Sequence, residues 1–371
     1  VDKEILLKNI DLVTERLLNL GGSDLSKDRG ADGSVWNTGM VQRDFGIEAW
    51  DWPQGVGLYG LVKLEEYFGD DRYDKFLDRW YQKNMAEGLP SRNINTTAPY
   101  LALLSLYRKN RNRVYETMIK ERAEWLVKEL PKTEEGGFQH VTTAIGNSSG
   151  VILNDGQLWA DTLFLAVLFL NQAGQEFDNG TWTDESVHQF LVHIKYLYDK
   201  KTGLIHHGWN FHDRSNFGNV FWCRGNSWFT CGVTDYLSSF KTELNPGIRN
   251  YLVETLRSQV KALAELQSEN GLYHTVLDDP ASYPETSGSA AITAGILKGI
   301  KLGVLDERYQ ETAERGLEGI CSMIDPDGTV KNVSAGTAIG MNADHYRNIS
   351  IRPMAYGQSL VLLALVEAVT G

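Results

Sequence analysis

The sequence predicts an all-α protein, an (α/α)6 barrel in which six helical hairpins close into a toroid. Three observations carry this. Segments with charges along one helical face alternate with segments that are apolar on nearly every face. A glycine-marked turn and a long loop separate each amphipathic segment from the apolar one that follows. No stretch keeps up the period-two alternation that a sizeable sheet needs. An inner ring of apolar helices wrapped by an outer amphipathic ring hides both kinds of surface. The competing architecture is an open helical-repeat solenoid, which would have more uniform units and polar capping repeats.

Residues 2–20 place Ile5, Leu6, Ile10, Val13 and Leu17 on one helical face, and Gly21 and Gly22 stop the helix. The first inner helix is predicted over 53–68, which carries Val56, Leu58, Tyr59, Leu61, Val62 and Leu64. An outer helix over 71–86 follows. Asn95 or Thr96 caps the second inner helix, with Pro99 in its tolerant first turn. The remaining outer helices are expected over 111–130, 184–198, 247–265 and 307–323. The remaining inner ones start near Gly156, Gly225, Glu285 and Pro353. Residues 1–371 are read as a single catalytic domain, since the repeat runs from end to end.

The net charge of −12 and the lack of any Lys/Arg-rich block argue against nucleic acid as a partner. No segment reads as a transmembrane span, so no membrane partner is expected. Cys223, Cys231 and Cys321 match no metal spacing and give no disulfide framework. Sequons at Asn95, Asn147, Asn179, Asn332 and Asn348, and a first residue that is not Met, tilt the expected location toward secreted or periplasmic over cytoplasmic. A monomer or weak homodimer is expected.

The stretch 156–170 organises the site. It reads as a helix apolar all round, with one carboxylate, Asp161, near its start. That carboxylate either complements the helix dipole or is a general acid whose pKa burial raises. In a closed toroid the loops before the inner helices share one end, so Asp161, His207, Trp209, Trp222, Arg224, Asn226, Trp228 and Glu285 are expected to converge there. Trp50 and Trp52 are weaker candidates for the same mouth. Aromatic rings suit sugar faces, and the Arg224 fork suits a substrate carboxylate, so an acidic sugar is the favoured ligand class. The other reading of Arg224 is a buried ion pair with Glu285. No HExxH, Cys-x-x-Cys, strand-borne GxGxxG or G-x-S-x-G element is present, so neither a metal nor another cofactor is expected.

Several motifs together resemble the unsaturated glucuronyl and rhamnogalacturonyl hydrolases, most closely glycoside hydrolase family 105. They are Trp52-Pro53-Gln54-Gly55-Val56, Asn95-Thr96-Thr97-Ala98-Pro99, Trp159-Ala160-Asp161-Thr162-Leu163-Phe164, His207-Gly208-Trp209, Trp222-Cys223-Arg224-Gly225-Asn226-Ser227-Trp228, Glu285-Thr286-Ser287-Gly288 and Tyr356-Gly357-Gln358. The resemblance implies a metal-free (α/α)6 barrel. The implied substrate is a polysaccharide-lyase product with a 4,5-unsaturated uronic acid at its non-reducing end. The family's general acid/base aspartate falls on Asp161, which hydrates the C4–C5 double bond. Family 88 relatives carry a second important aspartate near the second inner helix. This chain has Asn95 there, and Asn95 is expected to orient water or a sugar hydroxyl. The implied aglycones are rhamnose of a pectin backbone, sulfated rhamnose of an algal polysaccharide such as ulvan, and arabinogalactan fragments. Two other functions stay open from the residues alone. One is an ordinary glycosidase that adds Asp44, Asp51, Asp155 or Glu285 as a second carboxylate. The other is a non-catalytic glycan-binding toroid.

Overall fold

The computed structural model describes residues 1–21, 46–143 and 151–370. Asp44, the sequon at Asn147 and the whole loop 22–43 lie outside the described residues. The chain alternates outer and inner helices as expected. Outer helices are α1 (Lys3–Leu18), α3 (Asp74–Glu87), α5 (Arg113–Lys128), α7 (Gly180–Leu197), α9 (Pro246–Leu266) and α11 (Gln310–Ser322). Inner helices are α2 (Trp52–Phe68), α4 (Tyr100–Asn110), α6 (Leu168–Glu176), α8 (Cys223–Ser238), α10 (Thr286–Lys301) and α13 (Ala355–Val369). A short helix, α12 (Ala343–Arg347), interrupts the last loop.

The inner helices touch in chain order, and α13 packs back on α2, so the ring closes. Their side chains are buried nearly throughout, whereas α5 and α9 hide only one stripe each. Local chemistry sets the ends. Asp51 caps α2 by accepting the Trp52 N–H at 2.8 Å, Pro53 occupies the first turn, and Gly69 closes the helix in the left-handed conformation.

Two expectations change in detail. The second inner helix is not capped by Asn95 or Thr96. Asn95–Thr97 form a separate 3₁₀ turn, and α4 starts after Pro99. The helix read over 156–170 begins only at Asp161, because Gln157–Trp159 form a strand, β3. A run of i→i+5 turns over Leu163–Val167 then leads into α6, and such wide turns gather at functional sites.

The strands form three small antiparallel ribbons in the loops before inner helices. β1 (Val141–Thr143) pairs with β2 (Val151–Leu153), β3 with β4 (Gly208–Asn210), and β5 (Tyr273–His274) with β6 (Pro284–Glu285). They are too short for a period-two pattern to show. No helix of the described residues is long and apolar enough to cross a membrane.

Candidate active site

The β3–β4 ribbon brings Asp161 and His207 together. Gly156, at φ +68°, turns the chain into β3. In the ribbon Leu158 lies opposite Trp209 and Trp159 opposite Gly208. Cross-strand partners share a face. Leu158 and Trp209 therefore pack outward with Val192, Tyr196 and Phe211. This corrects the expectation for Trp209, whose ring joins a satellite core against α7 and not the group around Asp161. The opposite face holds Trp159. Ala160 N–H bonds to the His207 carbonyl at 2.9 Å, fixing the two segments one residue before Asp161. A side chain at 208 would run into the Leu158 carbonyl at 2.8 Å, backbone that cannot give way cheaply, so glycine is favoured there.

His207 Nε2 lies 3.2 Å from Asp161 Oδ2, and both side chains are largely buried. The pair is close but not aligned as a hydrogen bond, so both atoms keep unspent capacity. On its other side His207 Nδ1 meets the Tyr346 hydroxyl at 2.8 Å. Trp222 packs on the His207 ring at 4.4 Å between centroids. Trp159 meets His207 edge-on at 5.3 Å and stacks on His140 at 4.5 Å and 12°. His140 in turn bonds Thr162 through Nδ1 at 2.9 Å.

Burial pushes the Asp161 carboxyl up, but the adjacent His207 imidazole and then His140 outweigh it, and the net shift is downward. This corrects the expectation of a raised pKa, which took burial alone and did not place an imidazole beside the carboxylate. Burial drives His140 down to about 4, so it is neutral near pH 7 and His207 is the operative partner.

A second group continues from Trp222. The Arg224 guanidinium lies between the rings of Trp222 and Tyr356, at 4.4 and 4.9 Å. Trp52 stacks on Tyr356 at 4.6 Å and meets the wholly buried Trp228 edge-on at 6.3 Å. Trp52 is the partly buried ring of this set, so it keeps surface for a ligand.

Arg224 is fully buried, and its two terminal nitrogens are committed to the protein while Nε has no hydrogen-bond partner. It donates to the carbonyls of Ser334 and Ala335, both at 2.9 Å, and to the Ser334 hydroxyl, with Glu285 Oε1 at 3.7 Å. Glu285, equally buried, caps α10. It accepts from Ser287 N–H at 3.2 Å, Gly288 N–H at 2.6 Å and Ser334 N–H at 2.9 Å. Of the two readings of Arg224, these contacts match the buried ion pair with Glu285 and not the substrate clamp, and Glu285 is a helix cap where a substrate ligand was expected. The two form a strut that ties α8, α10 and the loop at Ser334 together. Asn226 is corrected likewise, since its amide clasps both backbone groups of Ile205, at 2.7 and 2.8 Å. Trp50 lies in the core against Trp80, Tyr81 and Tyr100, and donates its indole N–H to the Thr96 carbonyl at 2.9 Å. It braces the Asn95 turn from behind and does not line the mouth.

Asn95 itself is buried and donates to Thr143 Oγ1 at 3.1 Å, while its Oδ1 has no hydrogen-bond partner. The indole N–H groups of Trp222 and Trp228 are also buried and unspent. Sequence reasoning singled out neither His140, Trp159, Tyr346 nor Tyr356 as individual site residues. Trp159 and Tyr356 lay inside quoted motifs, and His140 stood in a glycine-marked loop. Nothing local flagged Tyr346.

Of the other carboxylates, Asp51 caps α2, and Asp155 is exposed and bonds His212 at 2.8 Å. Among the described residues, no three of the His, Cys, Asp and Glu side chains group closely enough to hold a metal ion.

Comparison with known proteins fits this geometry. The Glycosyl Hydrolase Family 88 model matches residues 36–370. The unsaturated rhamnogalacturonyl hydrolase YesR of Bacillus subtilis is 32% identical over 330 residues, covering 88% of this chain and 92% of that protein. An unsaturated 3S-rhamnoglycuronyl hydrolase of an Alteromonas species is 25% identical over 326 residues, covering 85% of this chain and 76% of that protein. A Salmonella enterica crystal structure described as a possible member of family 105 superposes with a TM-score of 0.90 at 37% identity, covering 100% of this chain and 95% of that one. The match from residue 36 to residue 370, with a relative 32% identical across most of both chains, places this chain in the glycoside hydrolase family 88/105 group, the unsaturated rhamnogalacturonyl and glucuronyl hydrolases.

Proposed function

We propose that the protein removes a 4,5-unsaturated uronic acid from the non-reducing end of a lyase-generated oligosaccharide, with Asp161 as general acid and base. The carrying observation is the Asp161–His207 contact at 3.2 Å, while among the described residues Asp51 and Glu285 are spent as helix caps and Asp155 is exposed. Displacement needs two carboxyl groups at set separations, whereas hydration of a vinyl ether needs one proton donor that then becomes the base.

Asp161 delivers its proton to C4, and the ring oxygen stabilises the positive charge that develops at C5. Water adds at C5 and gives a proton back to Asp161. The hemiketal opens to a C5 ketone, and the ring oxygen stays on C1 as a hydroxyl. C1 then carries both that hydroxyl and the aglycone oxygen, and this hemiacetal releases the aglycone. In the free protein His207 favours the Asp161 anion. A bound uronate brings its own negative charge and excludes water, and both shift the balance back toward the protonated acid. Trp52 offers the stacking surface, and Asn95 Oδ1 and the Trp222 N–H offer unspent hydrogen-bonding groups.

The YesR protein and the Alteromonas hydrolase both carry a rhamno- element in their names, so the proposed aglycone begins with rhamnose, of pectic or sulfated algal origin. Parallel assays on unsaturated fragments of rhamnogalacturonan and ulvan, with saturated counterparts as controls, test this. Loss of the enoate ultraviolet absorbance on at least one unsaturated fragment supports the proposal. Turnover of saturated fragments alone contradicts it.

A further inference from the structure

We propose that Tyr346 is a positioning residue for this reaction: its hydroxyl fixes the proton of His207 on Nε2, the ring nitrogen beside Asp161. The inference rests on the proposed role of Asp161.

Tyr346 sits on α12, in the loop between α11 and α13, 139 residues from His207 in sequence. Its side chain is 1% exposed, against the rings of Trp222 and His207. Among the described residues the hydroxyl has two partners. Gly340 N–H, at 3.0 Å, can only donate, so the Tyr346 oxygen accepts there. The other is His207 Nδ1 at 2.8 Å. A buried O–H left without an acceptor is costly, and among the described residues Nδ1 is the acceptor on offer. Whenever His207 is neutral, the phenol therefore donates to Nδ1 and the ring carries its one proton on Nε2, the atom 3.2 Å from Asp161 Oδ2. Burial holds the phenol well above its ordinary pKa, so it remains a donor at any working pH.

The loop is pinned so that this geometry persists. Arg347 bonds Asp279 at 2.7 Å, and Asn342 caps α12 through the His345 N–H at 3.1 Å. Upstream, Ser334 and Ala335 are gripped by Arg224 and Glu285. The strut thus holds the loop that carries the tyrosine. The titratable groups around His207 are Asp161, His140, His345 and Tyr346. Among the described residues only Tyr346 bonds its Nδ1.

The test is nitrogen NMR of the full chain labelled in its eight histidines, with His207 assigned by the signal lost in His207→Gln. Wild type is expected to show His207 as the Nε2–H tautomer. Tyr346→Phe is expected to lose that single tautomer, with kcat on the unsaturated substrate down about tenfold or more and KM within about twofold. Wild-type His207 protonated on Nδ1 in its neutral form overturns the proposal. So does Tyr346→Phe with an unchanged tautomer or an unchanged kcat. Asp161→Asn is assayed alongside. Full activity there overturns the proposed role of Asp161, while the NMR result still decides the tautomer by itself.

Discussion

The Asp161 carboxylate stands 3.2 Å from His207 Nε2 without an aligned hydrogen bond between them. The imidazole is near enough to govern the charge of the carboxylate, yet it does not consume the oxygen that a substrate needs. A fully aligned pair would hold Asp161 as a spent anion. An isolated buried carboxyl would hold its proton too firmly to recover it as the base.

The Arg224–Glu285 strut leads to a stability prediction. Both groups are wholly buried, pair as charges at 3.7 Å and share Ser287 and Ser334 as hydrogen-bond partners. Removing one charge leaves the partner buried and uncompensated, which costs about 3–5 kcal/mol. Glu285→Gln should lower the unfolding free energy by that order, read by denaturant titration. An unchanged midpoint would return Arg224 and Glu285 to the substrate.

Two tryptophans should separate binding from packing. Trp52 keeps exposed surface on its Tyr356 stack, whereas Trp209 fills the cluster with Leu158, Val192 and Phe211. Trp52→Ala should raise KM several-fold, in line with about 0.5–1.5 kcal/mol for an aromatic contact. Trp209→Phe should leave KM near wild type and lower thermal stability. Steady-state kinetics with thermal melts of both variants decides this, and the opposite pattern would place Trp209 on the ligand.

Buried histidines should make the fold acid-sensitive. Burial drives His140 and His193 down to about 4 from an unfolded value of 6.5. Between those values the unfolded chain holds more protons, so stability falls as pH drops from about 6.5 to about 4, and is unaffected by these groups above that window. Each contributes on the order of 3 kcal/mol at the bottom of the window. Asp161, lowered from 3.8, adds a loss only below that value. His193→Gln should flatten the curve measured by denaturant titration across pH 4–7, and an unchanged slope would show that His193 is not the group responsible.

The helical rings were legible because hydrophobic period and glycine stops are local signals. Asp161 was legible because a lone carboxylate in an apolar stretch needs a reason to be there. The strand at Gln157–Trp159 was hidden because a three-residue apolar run suits a helix equally well. Arg224 looked like a clamp because its acceptors at Ser334 and Ala335 are 110 and 111 residues away. Tyr346 was invisible for the same reason. The motifs located the mouth, but which atoms were already spent depended on contacts across the ring.

The central claim is that Asp161 hydrates a double bond. The direct measurement follows enoate absorbance and aglycone release together on one unsaturated fragment, for wild type and Asp161→Asn. Wild type should lose one enoate for each aglycone released, and both rates should fall at least ~100-fold in the variant, as for removal of a general acid and base. Aglycone release with the absorbance retained, or an Asp161→Asn variant as fast as wild type, would contradict the account.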